Sequence, residues 1–243
     1  ANRFPLCLVW TPVRAESRDS ARVTQLGFTL ALRARQTLAI LIMPTVYLPG
    51  TFACPALGRD NRCTIHDTKP LRCKSMPFDP TREERYQAEL LTPRPGWECD
   101  FTPAAPAVFE NGKIVRRDDF DQESRALLEQ APLMRRYAEY QLKHSPTLVY
   151  ELIAASNDAQ GRQVVTSLSS FLTATRNSDS QRIAELQLPI LQFYAQKTAA
   201  DAQLRIFHKN YSNWAKEMAY LSQASTVPAA NSPTGNSPAS PTR

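Results

Sequence analysis

Glycine is scarce, seven residues in 243, and none of the seven sits in a GxGxxG or GxxxxGK[S/T] arrangement. A fold that cradles phosphate on a glycine-rich turn is therefore excluded as the reading of this chain. GxSxG and HExxH are absent as well, so neither the nucleophile elbow nor the paired-histidine zinc hydrolase applies. No run of five or six like charges occurs to form a nucleic-acid arm. The longest apolar stretch, TLAILIMPTVYL from Thr37 to Leu48, is interrupted by Pro44. It falls well short of the ~20 residues that span a bilayer and reads as core. The first ten residues, ANRFPLCLVW, lack the basic-then-apolar layout of a secretory leader, and the expected location is cytoplasmic.

The chain is long enough to bury a hydrophobic core without covalent staples, and its apolar content is an ordinary 42%. A net charge of +6 suits an acidic partner, a nucleic acid or an anionic membrane face. A solvated basic surface explains it with fewer assumptions, so a protein partner is expected rather than a nucleic acid. Oligomeric state is left open.

The expected fold class is mainly α: an irregular cysteine-bearing loop region with one small β-hairpin, then a helical C-terminal half and a disordered tail. The corresponding divisions are 1–105 for the cysteine-cluster region, 106–222 for the helical region packed on it, and 223–243 for the tail. Ser17 to Gln36 carries Val23, Leu26, Leu30 and Leu32 at helical spacing, interrupted by Gly27, and reads as an amphipathic helix. Thr81 with Glu84 three residues later has the form of a capping box. In AVFENGKIVRR, Val108 and Phe109 face Ile114 and Val115 across Asn111–Gly112, the dipeptide suited to a type I′ hairpin turn. Helices are expected near 119–143, 146–157, 161–176, 179–199 and 201–222, with Pro189 kinking or dividing the fourth. The last residues, STVPAANSPTGNSPASPTR, are too polar and aperiodic to offset the entropy of ordering.

Cysteine is also rare, five residues, yet three of them, Cys54, Cys63 and Cys73, share one short basic loop, with Cys99 following. Where thiols stay reduced, clustered cysteines point to metal ligation or catalysis rather than disulfides, and an odd count fits that. A ligating thiolate must be deprotonated, and Arg59, Arg62, Lys69, Arg72 and Lys74 outnumber Asp60 and Asp67 around the three sulfurs. Pro55, Pro70 and Pro77 restrict the path of the loop. The competing reading is three small buried hydrophobes, since cysteine also serves in cores.

The string CPAL, then RCTIHDTKPLRCKSMPF, resembles the YkgJ-type cysteine-cluster family, also called the zinc- or iron-chelating domain. The matching residues are Cys54, Pro55, Leu57, Cys63, Ile65, His66, Lys69, Pro70, Cys73, Lys74, Pro77 and Phe78. The likeness covers about residues 50–100, and Cys99 falls where members carry a further cysteine. The family's several cysteines near the N-terminus are represented here by Cys7 alone. The resemblance implies Cys54, Cys63, Cys73 and Cys99 as ligands, with Cys7 as the substitute if one of them fails.

Four thiolates suit one 4Fe–4S cluster or one Zn2+. The long spacers favour the cluster, because structural zinc usually draws on short-spaced pairs. The family places Tyr as readily as His at position 66, so packing or a supporting hydrogen bond is the role expected of His66. The leading reading is a metal-binding, iron–sulfur protein with a redox or protein-modification-associated role, the latter because relatives include flagellin lysine methylases. The alternative is a zinc-stapled helical adaptor that docks to a larger assembly. Asp118, Asp119, Asp121 and Glu123 read as helix N-terminal charge, and His144 and His208 as isolated residues.

Overall fold

The computed structural model describes residues 3–92, 100, 102–159 and 161–223. Two long strands form its centre, β1 (Leu6–Arg14) and β3 (Thr37–Val46). They pair antiparallel over their full length, from Leu6 opposite Val46 to Arg14 opposite Leu38. Both are rich in the branched and aromatic residues that pack well on a pleated surface. The strand β2 (Phe28–Ala31) adds to the outer side of β3, and β6 (Val164–Ser167) adds to β1. The sheet order is β2-β3-β1-β6, so strands from the two halves of the chain share one sheet.

This sheet corrects the expected helix over 17–36. The helical period lasts only through α1 (Ser20–Leu26). Gly27 follows, where a Cβ would lie 1.9 Å from the carbonyl oxygen of Ile40. Only glycine lets the chain pass so close to β3, and from Phe28 the burial alternates as a strand requires. Arg135 then covers the exposed end of α1, its guanidinium donating to the Gly27 and Gln25 carbonyls at 2.6 and 2.9 Å.

The hairpin forms as expected: β4 (Phe109–Glu110) pairs with β5 (Lys113–Ile114), with Phe109 opposite Ile114. Asn111 and Gly112 take the positive φ angles, 50° and 76°, that the turn demands. Five helices follow: α3 (Asp118–His144), α4 (Thr147–Ser156), α5 (Leu168–Thr175), α6 (Ser180–Thr198) and α7 (Arg205–Gln223). They match four of the five expected spans. The span 161–176 is divided between β6 and α5, because Val164, Val165 and Thr166 are claimed by pairing with β1. The expected division at Pro189 does not occur: α6 runs through it, and Ile190 and Leu191 directly after it are buried. The capping box is also corrected. Thr81 bonds the Asp79 carboxylate at 2.8 Å, and a 3-10 helix starts at Glu84 instead. Residues 93–99 and 101 and all of the Ser/Pro-rich tail lie outside the described residues.

Along β3, Leu38, Ile40 and Ile42 enter the main core with residues of α3 to α7, whereas Ala39 and Leu41 pack with Val23, Leu26 and Leu127. Both faces of the strand are thus covered, which explains its nearly continuous apolar run. Buried Gln187 of α6 ties the start of β1 in place: it accepts from the Leu6 amide at 3.0 Å and donates to the Phe4 carbonyl at 3.1 Å. Tyr211 and Trp214 are buried beside Tyr47, whose carbonyl accepts from the Tyr211 hydroxyl at 2.5 Å. Among the described residues, no helix is long and apolar enough to cross a membrane.

Candidate metal centre

The basic loop folds by backbone hydrogen bonds that return the chain on itself. The Leu57 amide donates to the Cys54 carbonyl at 2.9 Å, closing a turn. The Gly58 amide reaches the Arg62 carbonyl at 2.7 Å, and Asn61 takes a left-handed φ of 59° at the tip. Asp60 steadies that tip by accepting from the Arg62 amide at 3.1 Å. Cys63 then lies opposite Leu57 in an antiparallel bridge, and both the amide and hydroxyl of Thr64 bond the Ala56 carbonyl. Cys63 is thereby carried back toward Cys54.

A 3-10 turn (His66–Thr68) and Pro70 lead into the short helix α2 (Leu71–Ser75), which carries Cys73. The helix is fastened to α3 through Glu123, which is only 6% exposed. The Ser75 hydroxyl donates to the Glu123 carboxylate, and Arg72 donates to it at 3.3 Å. Arg72 also bonds the Phe78 carbonyl at 2.8 Å. Glu123 was expected to act only as helix N-terminal charge. Its tether to α2 joins residues 48 and 51 positions apart, a distance over which local pattern carries no signal.

Cys54, Cys63 and Cys73 are all exposed, which overturns the reading of them as buried hydrophobes. They also come close enough to feel one another. Partial burial raises the Cys73 thiol pKa, the charges of Cys54 and Cys63 raise it further, and Lys69 and Arg72 oppose them. Cys54 in addition raises the pKa of the Tyr194 phenol on α6, behind burial as the main cause. Cys99, the fourth expected ligand, lies outside the described residues. Among the described residues, no group of three or more His, Cys, Asp or Glu side chains stands in a metal-binding arrangement. In donor chemistry, three exposed thiols beside Lys69 and Arg72 fit a soft, thiolate-bound centre.

Cys7 is elsewhere. It is fully buried in β1, its thiol points at the Thr45 carbonyl 3.5 Å away, and burial pushes its pKa up to about 12. Such a thiol is a core residue, not a substitute ligand. His66 is exposed, which removes core packing from the two roles expected of it and leaves the supporting hydrogen bond. His144 stacks on Tyr140, with ring centroids 4.1 Å apart, and His208 bonds the Ala195 carbonyl at 2.8 Å. No family model, curated protein or solved structure matches this chain.

Proposed function

We propose that this is a metal-binding protein of the YkgJ-type cysteine-cluster class. It holds one iron–sulfur cluster on Cys54, Cys63, Cys73 and Cys99 and serves a redox or protein-modification-associated role in the cytoplasm with a protein partner. The observation that supports the reading is that Cys54, Cys63 and Cys73 are all exposed and that Cys54 and Cys63 lie near enough to Cys73 for their charges to raise its pKa. A bound cluster would supply one-electron transfer. The chain's own contributions are electrostatic and positional. Lys69 and Arg72 partly offset the burial and the neighbouring thiol charges that raise the Cys73 pKa. The Leu57–Cys63 bridge steadies the backbone that carries Cys63, and the Glu123 tether steadies the helix that carries Cys73.

The test is anaerobic purification without nickel affinity or added zinc, followed by metal analysis and visible absorption. Iron, acid-labile sulfide and charge-transfer absorption are expected, all lost in Cys63→Ser. A colourless protein with one zinc per chain would move the reading to the zinc-stapled adaptor. A Cys63→Ser variant with its full metal content would remove Cys63 from the ligand set.

A further inference from the structure

Beside Cys54, on the side facing α6, is an open cavity of about 690 Å³, a volume in the range of small-molecule sites. Part of its wall is apolar: Leu57 from the loop, and Leu186, Ile190, Phe193 and Tyr194 from α6. Leu57, Leu186 and Phe193 are large hydrophobic side chains left 40–56% exposed, which costs free energy unless something covers them. Three charged residues line the same cavity, Arg3, Glu185 and Lys197.

Two of the charges mark opposite ends of the α6 wall, and Arg3 follows the start of the chain toward Gln187, whose amide bonds the Phe4 carbonyl. Glu185 and Lys197 are twelve residues apart on α6, which places them about 18 Å from each other along the helix axis. Glu185 already accepts from Gln181 at 3.2 Å, one turn back. Lys197 is held at the other end, its ammonium 4.4 Å from the Phe52 ring centroid and 6.0 Å from that of Phe193. Among the described residues, neither Lys197 nor Arg3 is in an ion pair. An aromatic cradle keeps the ammonium at the margin of the groove with its remaining N–H donors available.

We infer that this groove binds a small apolar carboxylate, an arylalkanoate or medium-chain acyl anion. The carboxylate sits at Lys197, and the hydrocarbon lies over Phe193, Ile190 and Leu186 toward Glu185. A cationic head is disfavoured at Lys197, and the opposite orientation would set the carboxylate against Glu185. The site shares only Cys54 with the proposed metal centre and goes beyond it.

The probe is 4-phenylbutyrate, titrated into the full-length protein by calorimetry and by amide chemical shifts, with 4-phenylbutylamine as its charge-reversed partner. Saturable binding of the acid is expected, with shifts confined to α6 and the Cys54–Leu57 turn, and weaker binding of the amine. Lys197→Met keeps most of the side-chain stem and should weaken the acid about fivefold. Leu186→Asp should also weaken it, by placing a charge under the hydrocarbon. Equal binding of acid and amine, or unchanged affinity in Lys197→Met with an unchanged circular dichroism spectrum, would overturn the assignment. Metal analysis of the same preparation reports on the cysteine centre separately, so either reading can fail without the other.

Discussion

Ser75 and Glu123 meet where α2 rests on α3, the serine hydroxyl donating to a carboxylate that Arg72 also reaches. The carboxylate is almost wholly buried, whereas the guanidinium side is 42% exposed. The hydroxyl and the fixed carboxylate therefore define the contact more than the ion pair does. Glu123→Ala should cost about 2 kcal/mol, because it takes the carboxylate from the buried Ser75 hydroxyl. Glu123→Gln should cost less, since it keeps an acceptor oxygen. Urea denaturation measures both. In metal-free protein the alanine variant should also speed alkylation of Cys73 relative to Cys54, since only the helix carrying Cys73 depends on this tether. Equal acceleration at both thiols would mean that the whole loop, not α2, had been released.

Gly27 is required by space rather than by turn geometry. A Cβ there meets backbone, 1.9 Å from the Ile40 oxygen, and a strand at the centre of the sheet cannot yield as a flexible side chain would. Gly27→Ala should destabilise the fold by roughly 3 kcal/mol. Thermal unfolding of the variant checks this, and a loss below about 1 kcal/mol would show that α1 can move away from β3 at little cost.

The same residue marks the boundary of what the sequence discloses. The hairpin was legible because Asn111–Gly112 is a local signal, needing positive φ whatever surrounds it. The long helices were legible because their apolar period persists for several turns. The sheet was not, because Leu30 and Leu32 continue the helical spacing of Val23 and Leu26, and only the partner strand shows that Phe28–Ala31 is extended. For the candidate site, the sequence pointed to a shared cysteine loop, and the structure leaves Cys54, Cys63 and Cys73 of that loop exposed. It gave no sign of Glu123 beneath Ser75 or of α6 alongside Cys54, since these contacts span about fifty and well over a hundred residues.

Cys7 should reveal itself through alkaline pH. Burial raises its pKa from an ordinary 9.0 to about 12. Below pH 9 both folded and unfolded chains hold the proton, and its contribution to stability is fully present. Above pH 9 the unfolded chain releases the proton first, so stability falls as pH rises toward 12, by up to about 1.4 kcal/mol per pH unit. Buried Tyr137 and Tyr211, whose pKa values are also raised, add to the fall at higher pH. Comparison with Cys7→Ala isolates the thiol, since both proteins keep the tyrosines. Denaturation at about pH 8 and about pH 10.5 should show a smaller loss in the alanine variant. Metal content should be the same in both.

Thr166 stands in the middle of a directed chain of hydrogen bonds linking β1, β6, α3 and α5. Trp10 has only an N–H to give, and gives it to the Thr166 hydroxyl at 2.9 Å. At the far end the Ser170 hydroxyl donates to the Ser167 carbonyl at 2.7 Å, so it must accept from Tyr137, also at 2.7 Å. The Tyr137 proton is then used, and its 2.9 Å contact with Thr166 has threonine as donor. Every proton in the chain points one way, from indole to carbonyl. Thr166→Val breaks it next to the indole, stranding the fully buried Trp10 N–H, and should cost about 2 kcal/mol. Thr166→Ser keeps both bonds and loses one methyl group, worth about 0.8 kcal/mol. Stability should therefore rank wild type, then serine, then valine. Valine equal to or above serine would mean that the methyl contacts, rather than the chain of hydroxyls, hold β6 against β1.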